Sequence, residues 1–414
     1  MIKLELIENE SSANELRREW SLLSAAATPM QSPEWMLSWW RAHRGPQDRL
    51  CMLALRNSEN ELIGLAPWYR RATVTSGATL RFLGSGRACS DYQTVLCRTE
   101  AQRHVVQRIV EWLSDRRAVS DQPGDAARLR WDLLDLEGVS VADPVMNSFI
   151  EAMADRGHVT HRRSSESTWR TDLTGGWQGF LSRQSKTQRS QTRNFVNRFD
   201  KSADLGLRLA SEEEPDHAVV LISALVELHQ MRWRAVGGAG CFADARMKSF
   251  FENTMREMIA ENSADIVVLE RNDRPVAAQA WLIQGTSVYA YQSGRDPAED
   301  ANRVGRIANS VALRWACDQG YQALDYLRGD ESYKSQMRAV PTLGQRVRIV
   351  ARASFPELRH KLWLACRGVK SRFQELRGPA AEVPRTEHAA AEHAAAEHTA
   401  AEHTAAEVES VSVN

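Results

Sequence analysis

The sequence predicts a mixed α/β protein assembled from two similar halves, and three observations carry that prediction. The chain has 414 residues, too many for one small core. Strand-like and helix-like stretches alternate from residue 3 to about residue 350. Two stretches also share a layout. LALRNSENELIGLAPWYR and VLERNDRPVAAQAWLI each set a charged turn before an aliphatic run that reaches a tryptophan, Trp68 and Trp281, so a weak internal repeat is expected.

Taken in order, KLELIE (3–8) alternates like a strand, and SSANELRREWSLL opens with serines suited to cap an amphipathic helix. SPEWMLSWWRAHR reads as a second helix with Pro33 in its first turn, and its Trp39 and Trp40 read as core. RLCMLALR and ELIGLAPWYRR read as a hairpin across NSEN, and RFLGSG and QTVLC as strands either side of an SDY turn. Residues 101–116 and 143–155 read as helices, with RLRWDLLDL a strand between them. The second half repeats the order. It has one long helix over 177–199, the strand LGLRLA, helices over 213–234 and 244–261, the hairpin ADIVVLE–PVAAQAWLI, the strand TSVYAYQSG, a helix ending at Gly320, and the strand YQALDY. Residues 351–376 read as a C-terminal helix. Beyond them EHAAAEHAAAEHTAAEHTAAE places His388, His393, His398 and His403 at a five-residue period, which winds around a helix and builds no apolar face.

Composition narrows the function classes. Lys+Arg and Asp+Glu are equal at 53 each, so no net field draws the whole chain to nucleic acid or an acidic membrane, and electrostatic recognition has to be local. Six cysteines show no CxxC pair or metal-ligand spacing, which predicts free thiols in a reducing cytoplasm and no metal. The first residues, MIKLELIENE, are acidic where a signal peptide needs a basic patch, and no run approaches eighteen apolar residues. Hydrolase elbows, His/Glu metal motifs and GKS/T phosphate loops are absent from the sequence.

Local features remain. AEDANRVGRIANS follows a strand and opens a helix, a position where free N–H groups and the positive dipole end favour a phosphate; Arg303, Gly305 and Arg306 stand there. Equally, the lone glycine reads as a simple helix start. From Leu181 to Lys201 six basic residues face one acidic residue, a net charge of +5, with Lys186, Arg189 and Arg193 on one face and Phe195, Val196 and Phe199 forming an apolar patch. That run is either a solvated face or a surface for a phosphate-rich ligand. In SDY, Asp91 and Tyr92 offer an acceptor and a donor after a glycine pair, or form an ordinary Asx turn. DYLRGDESYKSQM crowds Asp325, Asp330, Glu331 and Lys334 at a strand end, with Lys334 free to form a surface salt bridge and Glu331 read as solvated.

The stretch YAYQSGRDPAEDANRVGRIANSVALRWACDQGYQALDYLRGDESYKSQ resembles the GNAT-related acetyltransferase domain of the cellulose-biosynthesis type (the CelD/BcsL group), itself similar to the FemAB aminoacyltransferases. The resemblance extends through LHQMRW, the basic helix, SPEWMLSWW, LIGLAPWYRR and RFLGSGRACSDY, and so covers most of residues 5–340. It implies two tandem GNAT-like halves (1–165 and 166–350) with an interfacial cleft. It also implies transfer of an acetyl group from acetyl-CoA to an amine of an amino sugar or exopolysaccharide precursor. Under it Lys334 holds developing negative charge, Asp325 or Asp330 orients the lysine or the amine, and His229 is the base. Arg303, Gly305 and Arg306 bind the donor, and Asp91, Tyr92, Tyr291, Asp330, Lys186, Arg189 and Arg193 bind substrate. The family's Q/R-x-x-G-x-G/A loop is altered here to Arg303-Val-Gly-Arg-Ile-Ala308, with one glycine shifted by a position. Two alternatives stand beside this reading: a ligase that uses charged tRNA as donor, and a non-catalytic binding or scaffold protein.

Overall fold

The computed structural model describes residues 2–25, 27–114, 130–353 and 355–365. The His388–His403 repeat and the end of the predicted 351–376 helix lie outside them. The chain divides into two compact units. Unit 1 contains residues 1–33, 44–166 and 343–414, and unit 2 contains 34–43 and 167–342. Each unit therefore borrows a segment that contiguous halves at 1–165 and 166–350 would have placed in the other.

Unit 1 holds two sheets. In the first, β1 (Lys3–Ile7), β3 (Met52–Arg56), β4 (Leu62–Ala66) and β7 (Leu96–Cys97) are antiparallel neighbours in that order. In the second, β2 (Arg49–Leu50), β5 (Trp68–Thr73), β6 (Gly77–Phe82) and β8 (Leu133–Ser140) are joined by β15 (Val340–Val350). The predicted single strand ELIGLAPWYRR is cut at Pro67, which has no N–H for a ladder; β4 and β5 on either side enter different sheets. The expected helix after β1 is likewise two short ones, α1 (Glu10–Glu15) and α2 (Arg17–Ser24), the first capped by Asn9 through the Ser12 amide. Helices α4 (Gln102–Ser114) and α5 (Pro144–Asp155) bury Val105, Ile109, Met146, Phe149 and Ile150 against Trp68, Phe82, Leu134 and Val347. Asp143 caps α5 through the Met146 amide, and Pro144 fills its first turn.

Unit 2 is one sheet in the order β10 (Leu205–Leu209), β11 (Ala264–Arg271), β12 (Arg274–Gln284), β13 (Ser287–Arg295), β14 (Ala323–Arg328), then the end of β9 (Val159–Asp172). All pairs are antiparallel except β13 with β14. The β11–β12 turn has positive φ at both Asn272 and Asp273, the two-residue hairpin geometry that its composition predicts. On one face lie α6 (Gly176–Arg183), α7 (Lys186–Asp200) and α10 (Val304–Asp318), whose Phe180, Leu181, Ala312 and Ala316 pack on Val267, Trp281 and Leu324. The predicted long helix over 177–199 breaks into α6 and α7 because Gln184 is extended and the Ser185 hydroxyl caps the Gln188 amide. Helices α8 (Pro215–Ala235) and α9 (Ala245–Ala260) complete the unit together with α3 (Pro33–His43). The α3 residue Trp35 meets Phe250 and Tyr291 edge-on at 5.0 and 4.9 Å. Trp39 and Trp40 are core, as predicted.

Candidate functional site

Two strands that run parallel and then part make the central feature of unit 2. Ladder pairs join Ser287, Val288 and Tyr289 of β13 to Ala323, Leu324 and Asp325 of β14, and stop there. Past that rung β13 continues to Arg295 along β12, while β14 continues to Arg328 along β9. The strands therefore fork, and the fork-facing backbone edges beyond Tyr289 and Asp325 are released from each other. Both strands are irregular here. β13 bulges opposite the Ala280/Trp281 step, where Tyr291 is the extra residue. β14 bulges between Asp325 and Arg328, with Leu327 in the left-handed region at φ 56. A buried leucine in that conformation is strained, and the Asp325 carboxylate holds it by accepting the Leu327 amide at 2.8 Å.

Lys334 lies on α11 (Ser332–Gln336) with its side chain 1% exposed. Its ammonium donates to the carbonyls of Leu327, Arg328 and Gly329 at 3.2, 2.8 and 3.0 Å and pairs with Glu331 at 2.9 Å. Three donors on one nitrogen are thus directed inward, at the strand end. The surface salt bridge is corrected to a buried one, and Glu331 is corrected from solvated to nearly covered. Gly329 stands at φ 116, a conformation that side-chain-bearing residues rarely adopt, next to the Glu331 carboxylate. Asp330 is exposed and accepts the Trp169 indole N–H at 3.2 Å.

His229 is buried in α8. Its Nε2 accepts the Trp233 indole N–H at 3.0 Å, and its Nδ1 lies 3.2 Å from Gln230 Oε1. The Gln230 amide nitrogen donates to the Ala239 carbonyl at 2.9 Å, which turns its oxygen toward the ring and assigns the Nδ1–H tautomer. The one basic lone pair of the ring is therefore engaged by Trp233. Helix α8 crosses β13 closely here: a Cβ on Gly294 would be 2.3 Å from the His229 backbone nitrogen. Tyr291 is nearby, stacked at 6.3 Å on Phe251.

The amino end of α10 carries the other candidates. Arg303 is its left-handed N-cap at φ 55, with no side-chain cap. The acids just before it are neutralised: Asp300 by Arg295 at 2.6 Å, Asp296 by Arg274 at 3.0 Å, and Glu299 by Arg271 and Arg274. Arg303 and Arg306 are exposed and make no side-chain bond among the described residues, so the end is locally positive. Gly305 lets Arg295 approach, with a Cβ there only 3.2 Å from Arg295 Cδ.

On α7 the predicted basic face divides. Lys186 and Arg193 are exposed, but Arg189 donates to the Ser182 and Gln184 carbonyls at 3.3 and 3.2 Å and closes the α6–α7 break. Phe195 and Phe199 pack on Val304, Ile307 and Val311 of α10, as the apolar patch predicts, and Arg198 donates to the Asn302 carbonyl at 3.0 Å. Asp91 and Tyr92 belong to unit 1. Asp91 is buried with its amide 3.1 Å from the Met30 sulfur, and Tyr92, at φ 57, offers its carbonyl to the Gln31 amide.

Sequence reasoning missed Arg170, Ser287 and Tyr289. Arg170 stands opposite Asp325 in register and donates to Ser287 Oγ at 2.8 Å. Burial, then the Asp325 charge, raises the Tyr289 hydroxyl above its ordinary value, so it stays protonated. The alternation Tyr289–Tyr291 was the available signal, but nothing in it identifies which tyrosine meets the aspartate.

Comparison with known proteins agrees with this architecture. Residues 186–335 match the model of the acetyltransferase (GNAT) domain. A search of curated proteins returns no match. Among solved structures FemX aligns with TM-score 0.56 at 8% identity, over 80% of this chain and 95% of that one. A tandem GNAT protein from the clavulanic acid biosynthesis pathway aligns at 0.45 and 12% identity over 85% and 100% of the two chains. L-PGS from Bacillus licheniformis aligns at 0.46 and 11% over 82% and 97%. The FemX likeness shows the fold, and the domain match covers the fork, α7, α10 and Lys334. The protein is an acyltransferase with a GNAT acetyltransferase domain in its second unit.

Proposed function

We propose that the protein transfers an acetyl group from acetyl-CoA to the amine of an amino sugar or exopolysaccharide precursor at the β13–β14 fork. The observation that carries the reading is the fork itself, whose released backbone edge stands in the same domain as a helix start bearing two uncommitted arginines. In this reading Arg303 and Arg306 meet the CoA phosphates, and amides on the free edge of β13 polarise the thioester carbonyl. The neutral amine attacks that carbonyl, the C–N bond forms, the C–S bond breaks, and the thiolate leaves with the proton the amine gives up. Lys334 and Asp325 act as positioning residues: one gathers the carbonyls of Leu327–Gly329, the other holds the strained Leu327 amide. His229, its lone pair engaged by Trp233, fixes α8 over Gly294.

Calorimetric titration with acetyl-CoA tests the donor site. Arg303→Glu/Arg306→Glu should weaken binding about tenfold or more while leaving the melting temperature unchanged. Native affinity in that variant would remove the donor assignment. Exposed Lys186 and Arg193 favour a second reading, in which an aminoacyl group arrives on tRNA. Lys186→Glu/Arg193→Glu separates the two, because it should abolish binding of charged tRNA and spare that of acetyl-CoA.

A further inference from the structure

Helix α12 (355–365) belongs to unit 1 and docks there around one histidine. Its buried residues are Pro356 and His360, one turn apart, with Trp363 half-buried beside them. The His360 ring stacks on Trp363 at 5.7 Å, and His161 of β9 meets the two rings at 5.8 and 6.3 Å. From β15 the Arg348 guanidinium lies 3.9 Å from the Trp363 ring centre. Little else fastens the helix. Leu358 and Leu362 are 53% and 58% exposed, and Arg359 lies over the Phe355 ring at 4.2 Å while it reaches Asp132 at 3.4 Å.

That histidine has to be neutral. Its Nδ1 is buried with no hydrogen-bond partner among the described residues, and a protonated ring carries N–H donors on both nitrogens, one of them then buried without an acceptor. The charges around it also have the wrong sign. Arg348 of β15 and His161 of β9 face it, Arg359 and Lys361 flank it on α12, and Glu357 is the one acid in 355–365. The carboxylates of unit 1 at this end are taken, Asp132 by Arg359 and Arg130 at 3.4 and 3.7 Å, and Asp135 by Arg346 and Arg348 at 2.6 and 3.4 Å. Burial, then Arg348, then His161 hold the His360 ring below its ordinary value of 6.5. A group depressed in this way contributes its docking energy in full above 6.5 and loses it as pH falls toward the folded value. We propose that α12 is a proton-released latch, docked on β9 and β15 while His360 is neutral and freed from them when His360 takes up a proton.

Hydrogen–deuterium exchange of the full chain, read by mass spectrometry on peptides within 355–365, tests it. After correction for intrinsic rates, those peptides should lose about tenfold or more of their protection between about pH 7.5 and about pH 5.5, while α4 keeps its own. His360→Phe keeps a ring against Trp363 and cannot take up the proton, so its α12 should stay protected at both values. His360→Leu serves if that variant melts early. His158, whose Nδ1 accepts the Arg352 amide at 3.1 Å, is left in place in both variants, so a loss that persists in them belongs to it and overturns the proposal. Equal protection of native α12 at the two values also overturns it, as does a parallel loss from α4, which would mean acid unfolding of the unit as a whole.

Discussion

In unit 1, β6 and β8 run parallel for two residue pairs and part after Leu80 and Leu134; in unit 2, β13 and β14 run parallel for three and part after Tyr289 and Asp325. Each fork is spanned by a crossover through a helix, α4 in one and α10 in the other, and each is flanked by an antiparallel strand, β15 or β9. What fills the two forks differs. In unit 1 the first residues past the last rung, Arg81 and Asp135, pair at 3.8 Å, and Arg346 and Arg348 reach the same carboxylate at 2.6 and 3.4 Å. Burial alone would raise the Asp135 carboxyl, yet Arg346, Arg348 and Arg81 hold it well below the usual carboxylate range. In unit 2 the residues past the rung are Ala290 and Tyr326, and the charged groups lie behind the strand end, on Lys334 and Glu331. One fork is stitched shut by side chains; the other is kept in shape from behind. The same backbone solution therefore accepts its charges either inside the fork or behind it.

The sharpest way to break that contrast is to remove the two stitches in turn. Lys334→Met leaves Glu331 buried without its cation and three carbonyls without their donor, and should cost about 3–5 kcal/mol of stability, together with acetyl transfer, in urea unfolding and rate assays. Asp135→Asn strands three arginines but keeps Glu137 beside Arg346, so a smaller loss of about 3 kcal/mol is expected, with transfer per folded molecule preserved. Its pH dependence fixes the cause. A carboxyl whose folded value is depressed contributes fully above its ordinary value of 3.8 and loses that contribution as pH falls below it, so native and variant proteins should converge only under those acid conditions. Next in size is Gly294→Ala, which pushes a methyl against the His229 backbone. About 1–3 kcal/mol of overpacking is expected, with a fall in kcat/KM, whereas a cavity at α8 would leave both unchanged.

Much of this was legible in the chain, and the exceptions share a cause. Periodicity found the helices and hairpins because each is set by local pattern, and the matching tryptophans are both core, Trp68 on β5 and Trp281 on β12. The repeat looked weak because Pro67 breaks in unit 1 the strand that is continuous through Trp281 in unit 2, which turns one sheet into two. The exchange of residues 34–43 and 343–350 between units is tertiary and leaves no local signal. At the site, the family resemblance marked Lys334 but not its direction. A lysine among acids reads as solvent-facing, and only the left-handed turn at Leu327 brings three carbonyls to its ammonium. Arg189 failed similarly, since its partners are carbonyls, which no side-chain pattern displays.

The smallest effect bears on whether strain at the unit 2 fork serves binding. Arg303 caps α10 at φ 55, a conformation that costs a non-glycine residue roughly 1 kcal/mol, and its side chain is exposed, so replacing it removes no buried contact. Arg303→Gly should therefore raise stability slightly, by up to about 1 kcal/mol, less what glycine adds to the entropy of the unfolded chain. If the arginine is kept in that strained place to hold a phosphate, the same change lowers acetyl-CoA affinity. Stability and binding then move in opposite directions, in calorimetry and in titration. A variant that gains stability and binds as before would mean that the strain at α10 is a by-product of the turn, and that the anion site depends on Arg306 and the helix end alone.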